Sequence, residues 1–199
     1  MKGDFFMNKF ILRSIGALIL SFLLIFSAAC TSWEKHTKSA AKEDKTVELT
    51  ISAAASLQDA LKEIEKQYKE KEPNIKLSFN FGASGALQQQ IEQGAPADLF
   101  FSAAEDKFQT LVKKGFINEK EGKNLLGNEL VLVIPKDSSL TKFQDLKDEK
   151  IKKIALGTPE SVPAGKYAKA SLTHENLWND VQNKVVFTKD VRQVLTYVE

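Results

Sequence analysis

The sequence predicts an α/β fold with a largely parallel sheet. From Thr46 onward, short β-type apolar runs alternate with stretches of helical period, the pattern of strands joined by crossover helices. The run Leu130 to Ile134 is apolar throughout and stops at Pro135, as expected of a strand covered on both faces. Several strand-to-helix junctions are built from small residues, which marks tight turns rather than long loops.

Val47 to Ile51 alternates as a first strand, and Leu57, Leu61, Ile64 and Tyr68 then recur at helical spacing until Pro73. Ile75 to Phe79 reads as a second strand, followed by a turn flanked by Gly82 and Gly85 and a helix carrying Leu87 and Ile91. Asp98 to Phe101 reads as a third, more buried strand, and Phe108, Leu111 and Val112 mark a helix stopped at Gly115. After Leu130 to Ile134, further strands are expected at Ile154 to Gly157 and Val185 to Phe187, with helices from Ala164 to Leu172 and from Val191 to the end. This is enough for two lobes, 46–126 and an incomplete 127–199, crossing in the polar segment Asn118 to Asn128.

The first 45 residues read differently. Lys9 and Arg13 precede an apolar run from Ile15 to Phe26 and the small residues Ser27, Ala28 and Ala29, the layout of a cleavable secretory signal over 1–29. An uncleaved membrane anchor over Ile11 to Ala29 is the alternative, because that stretch approaches the roughly 20 residues a span needs. Cys30 is the single cysteine, so an intramolecular disulfide and a cysteine metal cluster are both excluded. Thr31 to Lys45 is polar and aperiodic and cannot bury enough surface to offset its ordering entropy; residues 30–45 therefore read as a tether. Removing 1–29 takes away Lys2, Lys9, Arg13 and Asp4 and leaves 25 residues of each sign. A nucleic-acid partner would require a basic surplus to neutralise phosphates, so none is expected.

The chemistry concentrates in four turns: Ala53-Ala54-Ala55-Ser56, Gly82-Ala83-Ser84-Gly85, Val162-Pro163-Ala164-Gly165 and Lys189-Asp190-Val191-Arg192. Each opens a helix, whose first turn presents unpaired N–H groups and the positive end of the dipole. Converging helix N-termini form an anion site without a formal positive charge. Small side chains let the anion approach the backbone, and in open α/β sheets ligands bind beyond the carboxyl ends of the strands. Each turn also has a purely structural explanation. Ser56 with Asp59, Ser84 and Asp190 are ordinary capping residues, and Pro163 is a common first-turn residue.

The wording of these segments resembles the periplasmic molybdate-binding proteins. The resemblance rests on Ser52 to Leu57, Phe81 to Leu87 running on to Gly94-Ala95-Pro96-Ala97-Asp98-Leu99-Phe100, Gly127 to Val133, Val162 to Lys169, and Asp190-Val191-Arg192. It implies a type II periplasmic-binding-protein fold, two α/β lobes closing on a tetrahedral oxyanion, molybdate or tungstate. The implied ligands are Ser56 and Ser84, through hydroxyl and backbone N–H, and the backbone N–H groups of Ala164 and Val191. Molybdenum would thus be held only as its oxyanion, with no cofactor and no catalysis. Cys30 after Ser27-Ala28-Ala29 is similar to a lipobox cysteine, implying a lipid-anchored, extracytoplasmic monomer that serves an ABC permease and its ATPase. Members of that family continue past the helix containing Tyr197, through a strand whose tyrosine is a further donor, and return to complete the first lobe. The chain ends at Glu199, so the second lobe and that return are expected to be incomplete.

Two other functions compete. Sulfate has the shape and charge of molybdate but is smaller, so cavity size has to separate them; monohydrogen phosphate would also require an acceptor, a part that Asp190 could play if it does not cap. A serine hydrolase would use Ser84 with His174 as base, but Gly82-Ala83-Ser84-Gly85-Ala86 lacks the second glycine of a nucleophile elbow. A remnant that binds nothing is the third possibility.

Overall fold

The structure is a computed structural model that describes residues 46–199. The signal segment, Cys30 and the tether lie outside the described residues.

The first sheet has three strands, β1 (Val47–Ala54), β2 (Ile75–Gly82) and β3 (Leu99–Phe101), in the order β2-β1-β3. Both pairings are parallel, Ile51 lying opposite Phe79 on one side and Leu99 on the other. Parallel neighbours require crossovers, here α1 (Gln58–Lys71) and α2 (Ser84–Glu92). Period-two alternation sends Leu77, Phe79 and Phe81 to the face that also carries Ile51 and Ala53, and Leu61 of α1 closes over them. The Phe79 and Phe81 rings stack at 5.2 Å. A last helix of this half, α3 (Glu105–Lys113), follows β3 and buries Leu111 completely; Gly115, at φ +78°, takes the left-handed turn that ends it.

The second sheet pairs β4 (Ile154–Gly157) with β5 (Val185–Thr188), again in parallel. Its helices are α4 (Pro163–His174), α5 (Trp178–Val181) and α6 (Val191–Thr196). Leu146, Leu156, Leu172, Leu177 and Val181 form a separate apolar core here. α4 starts so close to the end of β4 that a Cβ on Gly165 would collide with the Gly157 carbonyl. Only glycine permits that approach.

Three expectations are corrected. Leu130 to Ile134 form no strand, and all five stand between 37% and 71% exposed. Apolarity nominates a strand, but a strand also needs a hydrogen-bonding neighbour, and among the described residues neither sheet includes this run. β3 is not the more buried strand: it lies at the edge, with Leu99 46% exposed, while β1 takes the centre. The final helix stops at Thr196 rather than at the chain end.

Candidate functional site

The register of the sheets brings the small-residue turns together. Ala54 lies opposite Gly82 at the carboxyl ends of β1 and β2, so Ser56 and Ser84, each two residues further on, leave the sheet at one level. Gly157 lies opposite Thr188 at the ends of β4 and β5, and the Thr158 N–H donates to the Thr188 carbonyl at 2.9 Å. Between the halves, the Gly85 N–H donates to the Ser161 carbonyl at 3.0 Å, and a Cβ on Gly85 would lie 2.7 Å from that oxygen. α6 packs beside the short 3-10 turn Ala55–Leu57. The turn holding Ser84 therefore meets the one leading to Ala164, and the turn holding Ser56 meets the one holding Val191.

Ser84 is 1% exposed. It does not cap its own helix; Ala83 occupies that position without a side-chain bond. Its Oγ instead accepts from the Ala103 N–H at 2.9 Å, which leaves the hydroxyl hydrogen available to an anion. Ala103 belongs to Ser102-Ala103-Ala104, a further small-residue turn that opens α3 and that was not among the expected site turns. Its Ser-Ala-Ala run, like Ser52-Ala53-Ala54, was the available signal. Ser102 stiffens it by donating to the Ala104 carbonyl at 2.7 Å and accepting from the Ala104 N–H at 3.2 Å.

Ser56 differs. It lies exposed inside the 3-10 turn, and its hydroxyl has no partner among the described residues, so the capping role with Asp59 is not adopted. In α4, Pro163 fills the first helical position and has no N–H to leave unpaired; the first orphan donor is then that of Ala164. In α6, Asp190 is a true N-cap, accepting from the Gln193 N–H at 2.9 Å. The Val191 N–H is then an orphan donor of the first turn, and the Asp190 carboxylate is engaged by its own helix.

Other carboxylates of the first half are also engaged. Asp98 accepts from the Thr50 N–H at 2.7 Å. Asp106 meets Lys166 at 2.8 Å, and Asp59 meets Arg192 at 2.7 Å. The hydrogen bond from Lys166, with its charge, holds the Asp106 carboxyl below the usual carboxylate range, and Asp106 in turn pushes the Lys166 ammonium up. What the turns offer is a set of hydroxyl and backbone N–H donors, suited to an anion that carries no proton. A surface depression lies elsewhere, between α1 and β2 and lined by Tyr68, Lys69, Pro73 and Leu77; it contains none of the four turns. His174 ends α4, roughly 16 Å of helix away from the Ala164 end, which separates it from Ser84 as a base.

Residues 49–199 match the family described as bacterial extracellular solute-binding protein. The chain belongs to that family. Its members are binding proteins rather than enzymes, and the fold is that of the periplasmic binding proteins. The chain is 56% identical over 185 residues to YvgL of Bacillus subtilis (strain 168), named as a candidate ABC transporter substrate-binding lipoprotein; the match covers 92% of the chain and 68% of YvgL. It is 38% identical over 159 residues to the molybdate-binding protein ModA of Haemophilus influenzae, covering 77% of the chain and 63% of ModA. Among solved structures, the substrate-binding domain of a candidate molybdenum ABC transporter from Clostridium difficile superposes with a TM-score of 0.55 at 51% identity, over 76% of the chain and 66% of that domain. The chain thus spans about two thirds of the length of these relatives.

Proposed function

We propose that this chain is an extracytoplasmic binding protein that captures molybdate, and tungstate with it, for an ABC permease and its ATPase. The observation that carries this is the convergence of four turns that present hydroxyl and backbone N–H donors, with Asp190 engaged as a helix cap. Molybdate at neutral pH is an unprotonated dianion, so it fits a site without an acceptor. Ser56 and Ser84 would bind through hydroxyl and N–H, and Ala164 and Val191 through their N–H groups. In this proposal 46–126 and 127–199 are the two lobes, and Cys30, diacylated after removal of 1–29, anchors a monomer to the cell membrane through the tether. The names of the relatives, molybdate-binding protein and molybdenum transporter among them, support this ligand.

Lobe closure would strip water from the anion and strengthen each hydrogen bond. The test is a thermal melt of the segment from Thr31 onward, alone and with excess molybdate, tungstate or sulfate, because a ligand that binds only the folded state must raise the midpoint. The expected result is a cooperative transition moved upward by molybdate and tungstate and not by sulfate. A transition that none of the three moves would overturn the assignment for this chain.

A further inference from the structure

Among the described residues, two ion pairs connect the halves, and they share one polarity. Asp59 of α1 binds Arg192 of α6, and Asp106 of α3 binds Lys166 of α4; the carboxylate always belongs to the first half and the cation to the second. Each lies beside the turns of the candidate site. Asp59 is three residues after Ser56, Arg192 follows Val191 directly, and Lys166 is two residues after Ala164. Lys107 of α3 reaches the Glu160 carbonyl across the same boundary at 3.5 Å, and lies 3.9 Å from Asp106.

We propose that Asp59–Arg192 and Asp106–Lys166 form a two-point latch that holds the cleft closed over its anion, and that opening exposes Arg192 and Lys166 to attract the next one. This deepens the oxyanion proposal above and rests on it. Exposed pairs of this kind contribute little to folding, because ordering two long side chains and competing with water offset most of the attraction. An open–closed equilibrium is different: its states are closely balanced, so a small differential contact shifts the populations and the lifetime of the closed form.

The common polarity adds a direction. With the latch open, two unpaired cations flank the donors of the second half and two carboxylates flank those of the first. An approaching dianion is drawn to the second half and repelled by the first. On closure the carboxylates take up the cations, so neither cation remains to compete with the neutral donors for the anion. Asp59, Asp106, Lys166 and Arg192 are positioning residues: they act on lobe position and do not touch the ligand.

The experiment uses the full chain with stopped-flow mixing and molybdate. Asp59→Asn and Asp106→Asn are expected to speed release by roughly 3- to 10-fold each without slowing association, a range set by the modest strength of exposed pairs. Arg192→Gln and Lys166→Gln should speed release similarly but also slow association and flatten its salt dependence. The exchange Asp106→Lys with Lys166→Asp should restore slow release, which a merely structural role would not do. In parallel, spin labels at Lys69→Cys and Ala170→Cys, in a Cys30→Ser background, report the distance between the halves without ligand, and Asp59→Asn with Asp106→Asn should lengthen it. Unchanged release and unchanged distance in that double variant would overturn the latch, as would failure of the exchange to restore release. If the unaltered chain takes up no molybdate while the double variant still lengthens the distance, the latch stands and the oxyanion proposal falls.

Discussion

The two halves use the same kinds of segment to different effect. In the first, β1 is paired on both sides and its residues from Ile51 to Ala54 are buried. In the second, the two paired strands sit apart from Leu130 to Ile134, a run more apolar than β1 that stands exposed. Side-chain pattern is therefore not what separates a core strand from an exposed run. What separates them is a neighbour able to satisfy the backbone N–H and C=O groups.

The largest expected effect falls on the second half. Gly165→Val would drive side-chain atoms into the Gly157 carbonyl and should cost about 3 kcal/mol or more, read as a collapse of the urea midpoint. Ile51→Ala should cost about 3 kcal/mol, whereas Val131→Lys, at 71% exposure, should stay within about 0.5 kcal/mol. Denaturation curves for this pair test the contrast directly; a large loss for Val131→Lys would mean that the run is paired after all.

The two serines sharpen the contrast at the site. Ser84→Ala leaves the half-buried Ala103 N–H without its acceptor and should cost about 1 kcal/mol of stability as well as anion affinity. Ser56→Ala should weaken the anion with almost no change in the unliganded melting temperature, since that hydroxyl bonds nothing among the described residues. Equal losses of stability in both would contradict the different surroundings of the two hydroxyls.

The smallest effect is on pH dependence. The carboxyl of Asp106 lies below its ordinary range because of Lys166, so its contribution is complete above that range and is lost as pH falls through the depressed value. Wild type and Asp106→Asn should therefore differ through neutral pH and converge below about pH 4. Lys166, held above its ordinary value by the same partner, loses its contribution only as pH rises through that raised value. Melting temperatures across the acid range check the first sign.

The sequence by itself determined the parallel α/β character, five strands close to where they form, the longer helices and four turns at helix starts, most of them built from small residues. These are local matters: period, β-branching, glycine and proline act within a few residues. It also offered Ser56 and Asp190 as caps and could not say which of them caps, because the choice depends on where the backbone goes next. Tertiary structure alone decided that Asp190 caps while Ser56 stays free, that Ser84 bonds a turn 19 residues away, and that Asp59 meets Arg192 across 133 positions. It also left Leu130 to Ile134 unpaired. The contacts of Ser84 and Asp59 are pairings between distant segments, and such a pairing is fixed by register and approach, which no single stretch of chain carries.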